Sequence, residues 1–219
     1  MKIFLDTANV ADIKKWSHMG IIDGVTTNPS HLSKEGGNPV EIIKEIMKIL
    51  PHGEISVEVT EKDPMAVYEQ AKKIAALGNN ILVKVPCASE YYDIINKLVQ
   101  ENVKLNITLV FTLIQSLMMC KLGVTYISPF IGRLNDIDED GIEVLHEIKY
   151  MQTQYDFSTG ILAASIRTVD QFHGTIDAGV DAVTLSAETL EKAVKHPLTE
   201  QGMEKFDADW KKLGIKKFP

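Results

Sequence analysis

Eight short runs rich in β-branched and aliphatic residues punctuate the chain, at 2–6, 22–26, 55–60, 81–85, 104–109, 125–129, 161–166 and 181–185. The stretches between them carry apolar residues at helical spacing. Ile43, Ile46, Met47 and Leu50 fall at i, i+3, i+4 and i+7, and so do Tyr91, Ile94, Ile95 and Leu98. Strict alternation of strand and helix predicts a parallel sheet covered by helices, and eight strands is the number that closes into a barrel. The expected fold class is therefore α/β, a single (β/α)8 TIM barrel spanning 1–219 as one domain, with an open doubly wound sheet as the alternative. An extra C-terminal helix, at about 199–212, follows the eighth unit. It has no barrel position to fill, so its expected place is on a neighbouring subunit.

Successive side chains of a strand face opposite ways, which makes the polar residues inside these runs informative. In 104–109, Leu105, Ile107 and Leu109 share one face, and Asn106 and Thr108 the other. In 55–60 the apolar face is Ile55, Val57 and Val59, opposed by Ser56, Glu58 and Thr60. In 81–86 it is Ile81, Val83 and Val85, opposed by Leu82, Lys84 and Pro86. Asp6, Asn28, Ser128, Ser165 and Arg167 also stand at or just past strand ends. One alternating strand needs only a wet face to explain it. Several strands, each with an acid, amide, hydroxyl or base opposite the helix-packing face and near the carboxyl end, mark the end of a barrel where active sites are built.

Composition excludes several functions. With 219 residues, 45% of them hydrophobic, the chain can bury one sizeable core. Thirty acidic against 23 basic side chains give a formal charge of −7, without the basic footprint needed to hold a nucleic-acid backbone. No apolar run approaches membrane-spanning length, and Asp6 interrupts what would be the core of a signal peptide, so a cytoplasmic protein is expected. Cys87 and Cys120 suit neither a disulfide framework nor a CxxC site, and inert buried thiols are expected. The histidines form no HxxxH or HExxH pair, which argues against zinc.

Lys84 lies in Ile81-Leu82-Val83-Lys84-Val85-Pro86, where a lone ammonium is costly to bury. Desolvation favours the neutral form of an amine, which is nucleophilic toward a carbonyl. A lysine reaching solvent from a strand end is the plainer explanation of this residue taken alone. Its companions change the weighting. A Schiff base requires proton transfers to form and dehydrate a carbinolamine, and a base for the hydroxyl proton as a carbon–carbon bond breaks. Asp6 and Glu58 are two carboxylates for those tasks, and Thr108 is placed to position a water beside Glu58. Asn28, Asn106 and Ser128 suit the hydroxyls of a short polyol, although Asn28 before Pro29 also reads as a cap or turn residue. Arg133, Ser165 and Arg167 follow late strands, where barrels often hold phosphate, and supply guanidinium forks and a hydroxyl.

These residues carry a resemblance. Asp23-Gly24-Val25-Thr26-Thr27-Asn28-Pro29-Ser30, Val83-Lys84-Val85-Pro86, Asn106-Ile107-Thr108-Leu109-Val110-Phe111 and the segment Ser128 to Arg133 together resemble the transaldolases, specifically the small subfamily that includes the fructose-6-phosphate aldolases. The match covers nearly the whole chain. It implies Lys84 as the Schiff-base lysine, Asp6 as the acid/base at the carbon–carbon bond, and Glu58 with Thr108 as holders of the catalytic water. It implies that Asn28, Asn106 and Ser128 bind the dihydroxyacetone unit, that Phe130 lines the site, and that Arg133, Ser165 and Arg167 clamp the phosphate. The implied reaction moves dihydroxyacetone from a ketose phosphate, such as fructose 6-phosphate or sedoheptulose 7-phosphate, to an aldose phosphate in the pentose phosphate pathway. No cofactor or metal is implied, the partners are sugar phosphates, and similar proteins of this size form homo-oligomers, pentamers or decamers.

Two other readings compete. Fructose-6-phosphate aldolases, which release free dihydroxyacetone, carry glutamine at the place of Glu58 and tyrosine at that of Phe130, so both positions favour transfer. The residues after Pro29, Ser30 and His31, and those after Lys84, ending at Cys87, depart from the family pattern and stand where they can change which ketose fits. Separately, Asp136, Asp138, Asp140, Gly141 and Glu147 fit the D-x-D-x-D-G-x5-E pattern of a calcium loop. An acidic turn that caps the helix beginning near Asp140 explains the same residues.

Overall fold

A computed structural model describes residues 1–215. Eight parallel strands close into a barrel in chain order: β1 (Lys2–Asp6), β2 (Gly24–Thr26), β3 (Glu54–Glu58), β4 (Ile81–Pro86), β5 (Leu105–Val110), β6 (Tyr126–Pro129), β7 (Gly160–Ile166) and β8 (Ala182–Leu185). β8 returns to β1, with Ile3 opposite Val183 and Leu5 opposite Leu185. Closure removes sheet edges, and helices cover the outside. Asn28, Asn38, Asp63, Thr112, Asp140, Thr168 and Ser186 each accept a backbone N–H at a helix start, so the chain leaves the barrel mouth at defined points.

The outward strand faces hold the main core. Ile55, Val83, Val85, Leu105, Ile107, Ile127, Ile161 and Val183 are fully buried beneath the helices. A second apolar cluster, Phe4, Leu82, Tyr126, Leu162 and Ala182, fills the barrel from within. It depends on two glycines. A Cβ at Gly24 would lie 2.5 Å from the Phe4 ring, and one at Gly160 would lie 2.6 Å from the Tyr126 ring. Large side chains therefore face missing ones across the interior. Lys2 Nζ closes the amino-terminal mouth, 2.8 Å from Glu54 Oε2 and 3.1 Å from the Tyr126 hydroxyl.

The alternation expected in 104–109 breaks near its carboxyl end. Leu109 does not share the face of Leu105 and Ile107. The register shifts between Ile107 and Val110, Leu109 adopts a φ of 58°, and Val110 takes the buried place. β7 repeats the device, with a register shift between Ala163 and Ile166 and a φ of 60° at Ser165. Left-handed conformations cost a non-glycine residue about 1–2 kcal/mol, so the surrounding barrel enforces both. Thr60 also leaves the expected face, because β3 ends at Glu58, and its backbone N–H instead donates to Gln70 Oε1 at 2.8 Å.

The helix after the eighth unit runs Pro197–Lys212 and buries none of its residues; Leu198, Met203 and Phe206 stand 66%, 66% and 73% exposed. Among the described residues, no helix is long and apolar enough to cross a membrane.

Candidate active site

Above the apolar plug the inward face turns polar, first to hydroxyls and amides and then to charge. Ser128 Oγ donates to Asn106 Oδ1 at 2.6 Å, and Asn106 Nδ2 donates to Ser56 Oγ at 2.8 Å. This chain crosses β6, β5 and β3 and fixes which way the Asn106 amide points. On the other side, Thr26 and Thr184 bring their hydroxyls to 2.6 Å, and Thr26 donates to Asp6 Oδ1 at 2.7 Å. All five of these hydroxyl and amide side chains are buried, so the network is rigid rather than solvated.

Strand register places the charged tier. Glu58 of β3 lies opposite Lys84 of β4, and Lys84 lies opposite Asn106 of β5. Lys84 Nζ sits 3.1 Å from Glu58 Oε2, with the two side chains 7% and 16% exposed. The carboxylate thus compensates for the hydration the buried ammonium has lost. Asp6, at the end of β1, faces His31 Nε2 at 3.4 Å. Burial pushes the Asp6 carboxyl up, but donation from His31, the charges of His31 and Lys84, and the Thr26 hydroxyl together hold it below the ordinary carboxylate range. Thr108 is buried, and its Oγ1 has no hydrogen-bond partner.

Two guanidinium groups, those of Arg133 and Arg167, border the same space as Lys84. A cavity of about 210 Å³ is lined by Asp6, Asn28, Lys84, Asn106, Ser128, Phe130, Arg133, Ser165 and Arg167, with Thr26, Ala164 and Thr184. An adjoining one of about 460 Å³ shares Asn28, Lys84, Phe130 and Arg133 with it and adds Glu58, Thr108, Leu109 and the segment Pro29 to His31. Every residue expected from sequence to serve the site therefore lines one or both. Arg133 lies over the Phe130 ring, 5.2 Å from its centre. Arg167 forks onto Asp136, with Nη1 2.6 Å from Oδ1 and Nη2 2.8 Å from Oδ2. Gly132 makes the approach possible, since a Cβ there would lie 2.4 Å from the Ser165 carbonyl oxygen and 2.7 Å from Arg167 Nε.

Some placements differ from expectation. Asn28 does both things weighed for it, capping the helix Pro29–Glu35 through the His31 N–H while lining the cavity. Thr26, Thr184 and Leu109 line the cavities without having been expected there, and His31, expected only where it can change which ketose fits, also faces Asp6. Thr26 shares the inward parity of Asp6, which it faces in register, and that parity was readable. His31 gave no strand signal, because it enters from a helix.

The calcium pattern does not converge on one point. Asp136 is paired with Arg167, Asp140 caps the helix Gly141–Tyr155, and Glu147 borders a different hollow, beside Leu113 and Tyr150. Asp138 and Asp140 line a larger, open concavity of about 710 Å³ with Asp170 and His173, away from Lys84. Among the described residues no cluster of three or more His, Cys, Asp or Glu is disposed to hold a metal. The acidic turn is a helix cap.

Similar proteins were found by sequence and by structure. A family model described as Transaldolase/Fructose-6-phosphate aldolase matches residues 3–217. A probable transaldolase of Thermoplasma volcanium is 47% identical over 97% of this chain and 96% of its own length. A probable transaldolase of Thermoanaerobacter sp. is 41% identical over 99% and 100%. Among solved structures, thiamine phosphate pyrophosphorylase from Pyrococcus furiosus superposes with a TM-score of 0.61 at 16% identity, over 88% of this chain and 91% of that one. At that identity the likeness speaks for the barrel alone.

Proposed function

The chain belongs to the transaldolase/fructose-6-phosphate aldolase family, and on that premise we propose that it is a transaldolase, carrying dihydroxyacetone between sugar phosphates on the amine of Lys84. The observation that supports this most is the buried Lys84–Glu58 pair at 3.1 Å, where Lys84 and Arg133 line both adjoining cavities, Asp6 lines one and Glu58 the other.

Glu58 takes a proton from the Lys84 ammonium, and the amine adds to the C2 carbonyl of a ketose phosphate. The carbinolamine loses water to give an iminium ion, with Glu58 and Thr108 handling that water. Asp6, ionised at neutral pH, accepts the C4 hydroxyl proton. The C3–C4 bond then breaks, its electron pair moves toward the iminium nitrogen, and an aldose phosphate leaves. The enamine carbon attacks the incoming aldehyde, Asp6 returns its proton to the new hydroxyl, and hydrolysis frees Lys84. Lysine and carboxylates carry every bond change, so the reaction calls for no metal ion or organic cofactor. Asn28, Asn106 and Ser128 bind the dihydroxyacetone hydroxyls beside Phe130. Arg133, Ser165 and Arg167 hold the distal phosphate; Asp136 occupies two of the five N–H donors of Arg167, and the others remain for the anion.

On this reading the enzyme works in the cytoplasm, in the pentose phosphate pathway, as a single 1–219 domain. The exposed apolar residues of Pro197–Lys212 pack on a neighbouring copy in a pentamer or decamer. The release of free dihydroxyacetone is the competing outcome; the fructose-6-phosphate aldolases carry glutamine and tyrosine where this chain has Glu58 and Phe130, and both residues favour transfer. Fructose 6-phosphate supplied without an acceptor tests the point. Little free dihydroxyacetone should form until an aldose phosphate is added, and Glu58→Gln should raise the dihydroxyacetone released per transfer event. Rapid release by the unaltered enzyme would contradict the assignment.

A further inference from the structure

His31 stands beside Asp6 and has no part in the steps above. The helix Pro29–Glu35 starts over the barrel mouth, where Asn28 Oδ1 accepts the His31 backbone N–H at 2.9 Å. From that anchored position the imidazole reaches toward β1 and brings Nε2 within 3.4 Å of Asp6 Oδ1. The same oxygen accepts the Thr26 hydroxyl at 2.7 Å, and Thr26 is braced by Thr184 at 2.6 Å. Asp6 is thereby gripped from a helix on one side and from β2 on the other.

The geometry points to His31 as a positioning residue for Asp6, its Nε2–H steadying the carboxylate that accepts the C4 hydroxyl proton. This rests on the Schiff-base reading given above. A donor aimed at a carboxylate favours its charged form, which is the form needed before the carbon–carbon bond breaks. Against burial, which raises the Asp6 carboxyl, His31 is the leading opposing influence, ahead of Lys84 and Thr26. A separation of 3.4 Å is long for such a bond, and catalytic hydrogen bonds commonly tighten once substrate closes the site. The other charged groups that face the imidazole's cavity are Glu58 from β3, Lys84 from β4 and Arg133 from the helix Ile131–Asn135. Glu35, on His31's own helix, is engaged by Asn9 Nδ2 at 3.3 Å.

His31 also ties two jobs together. Its backbone holds Asn28, which binds the polyol, while its side chain holds Asp6, so one helix sets the spacing between the bound three-carbon unit and the base. A substitution that removes the side-chain donor but keeps the helix should disturb proton transfer and leave binding nearly intact.

The experiment compares the unaltered chain with His31→Leu and His31→Gln. For each, kcat and KM for fructose 6-phosphate with an aldose phosphate acceptor are followed across pH, and borohydride trapping at Lys84 is scored. His31→Leu should lower kcat on the order of tenfold, a modest part of what a general base supplies. It should also move the acid limb of kcat to higher pH, change KM little, and still trap the adduct. His31→Gln, which restores a neutral N–H, should recover much of kcat. An unaltered kcat–pH profile in His31→Leu, an effect confined to KM, or a glutamine variant no better than leucine would overturn the proposal. Absence of trapping in the unaltered chain would instead remove the Schiff-base reading, and this proposal with it.

Discussion

Glu58→Gln and Lys84→Met together probe how a charge survives inside an apolar strand. Nζ of Lys84 and Oε2 of Glu58 are 3.1 Å apart, with only 7% and 16% of their side chains exposed, so each makes up for hydration the other lacks. Removing one partner of a fully buried pair costs about 3–5 kcal/mol. Here the cavity above the pair admits solvent, and the Asp6 carboxylate also feels Lys84, which brings the figure for Glu58→Gln down to about 2 kcal/mol. In a chain of this size that corresponds to roughly 4–8 °C in melting temperature. Lys84→Met should cost less, because an isolated carboxyl can bind a proton, and the variant should stay folded. The double variant, which buries neither charge, should regain most of the loss and give a coupling energy of about 1.5 kcal/mol. Urea and thermal unfolding of the four proteins at neutral pH measure this directly. Additive single effects, within about 0.5 kcal/mol, would refute the claim that the two charges compensate one another.

Two further outcomes follow from named groups. Asp6 is held below the ordinary carboxyl value of about 3.8, so it contributes stability that is present above that value and lost as pH falls through its folded one. The stability difference between the unaltered chain and Asp6→Asn should therefore be largest near neutral pH and fade in strong acid; a difference that does not vary with pH would contradict the assigned interactions. Burial pushes both the Cys87 and the Cys120 thiols up, so a thiol reagent at neutral pH should label the native chain slowly and label it fully after unfolding; rapid labelling of either cysteine would show that it is not the inert group described.

The barrel was legible because its two periods are clean. Strands such as Ile81–Pro86 bury one face under helices and turn the other inward, and the alternation of Val83, Lys84 and Val85 records both. The same parity brought forward Glu58 and Lys84, which form an ion pair, and Asn106, which accepts from Ser128. Parity failed at Leu109, where a register shift adds a residue that no period of two can anticipate, and β7 carries a similar shift at Ser165. It was also silent on His31, which comes to the site from a helix and meets Asp6 only because the barrel mouth brings β1 and that helix together. The acidic segment from Asp136 to Glu147 matched a ligand pattern in one dimension, yet its carboxylates serve a guanidinium and a helix start in three. A linear spacing specifies a metal site only when the backbone curls its ligands inward, and a continuous helix from Gly141 to Tyr155 does not do so.

On the proposed mechanism Lys84 forms a covalent bond with the substrate. Incubation with fructose 6-phosphate and borohydride, followed by mass analysis of the peptides, should find a reduced three-carbon adduct on Lys84, absent from Lys84→Met. An adduct on a different lysine, or turnover by Lys84→Met, would contradict it.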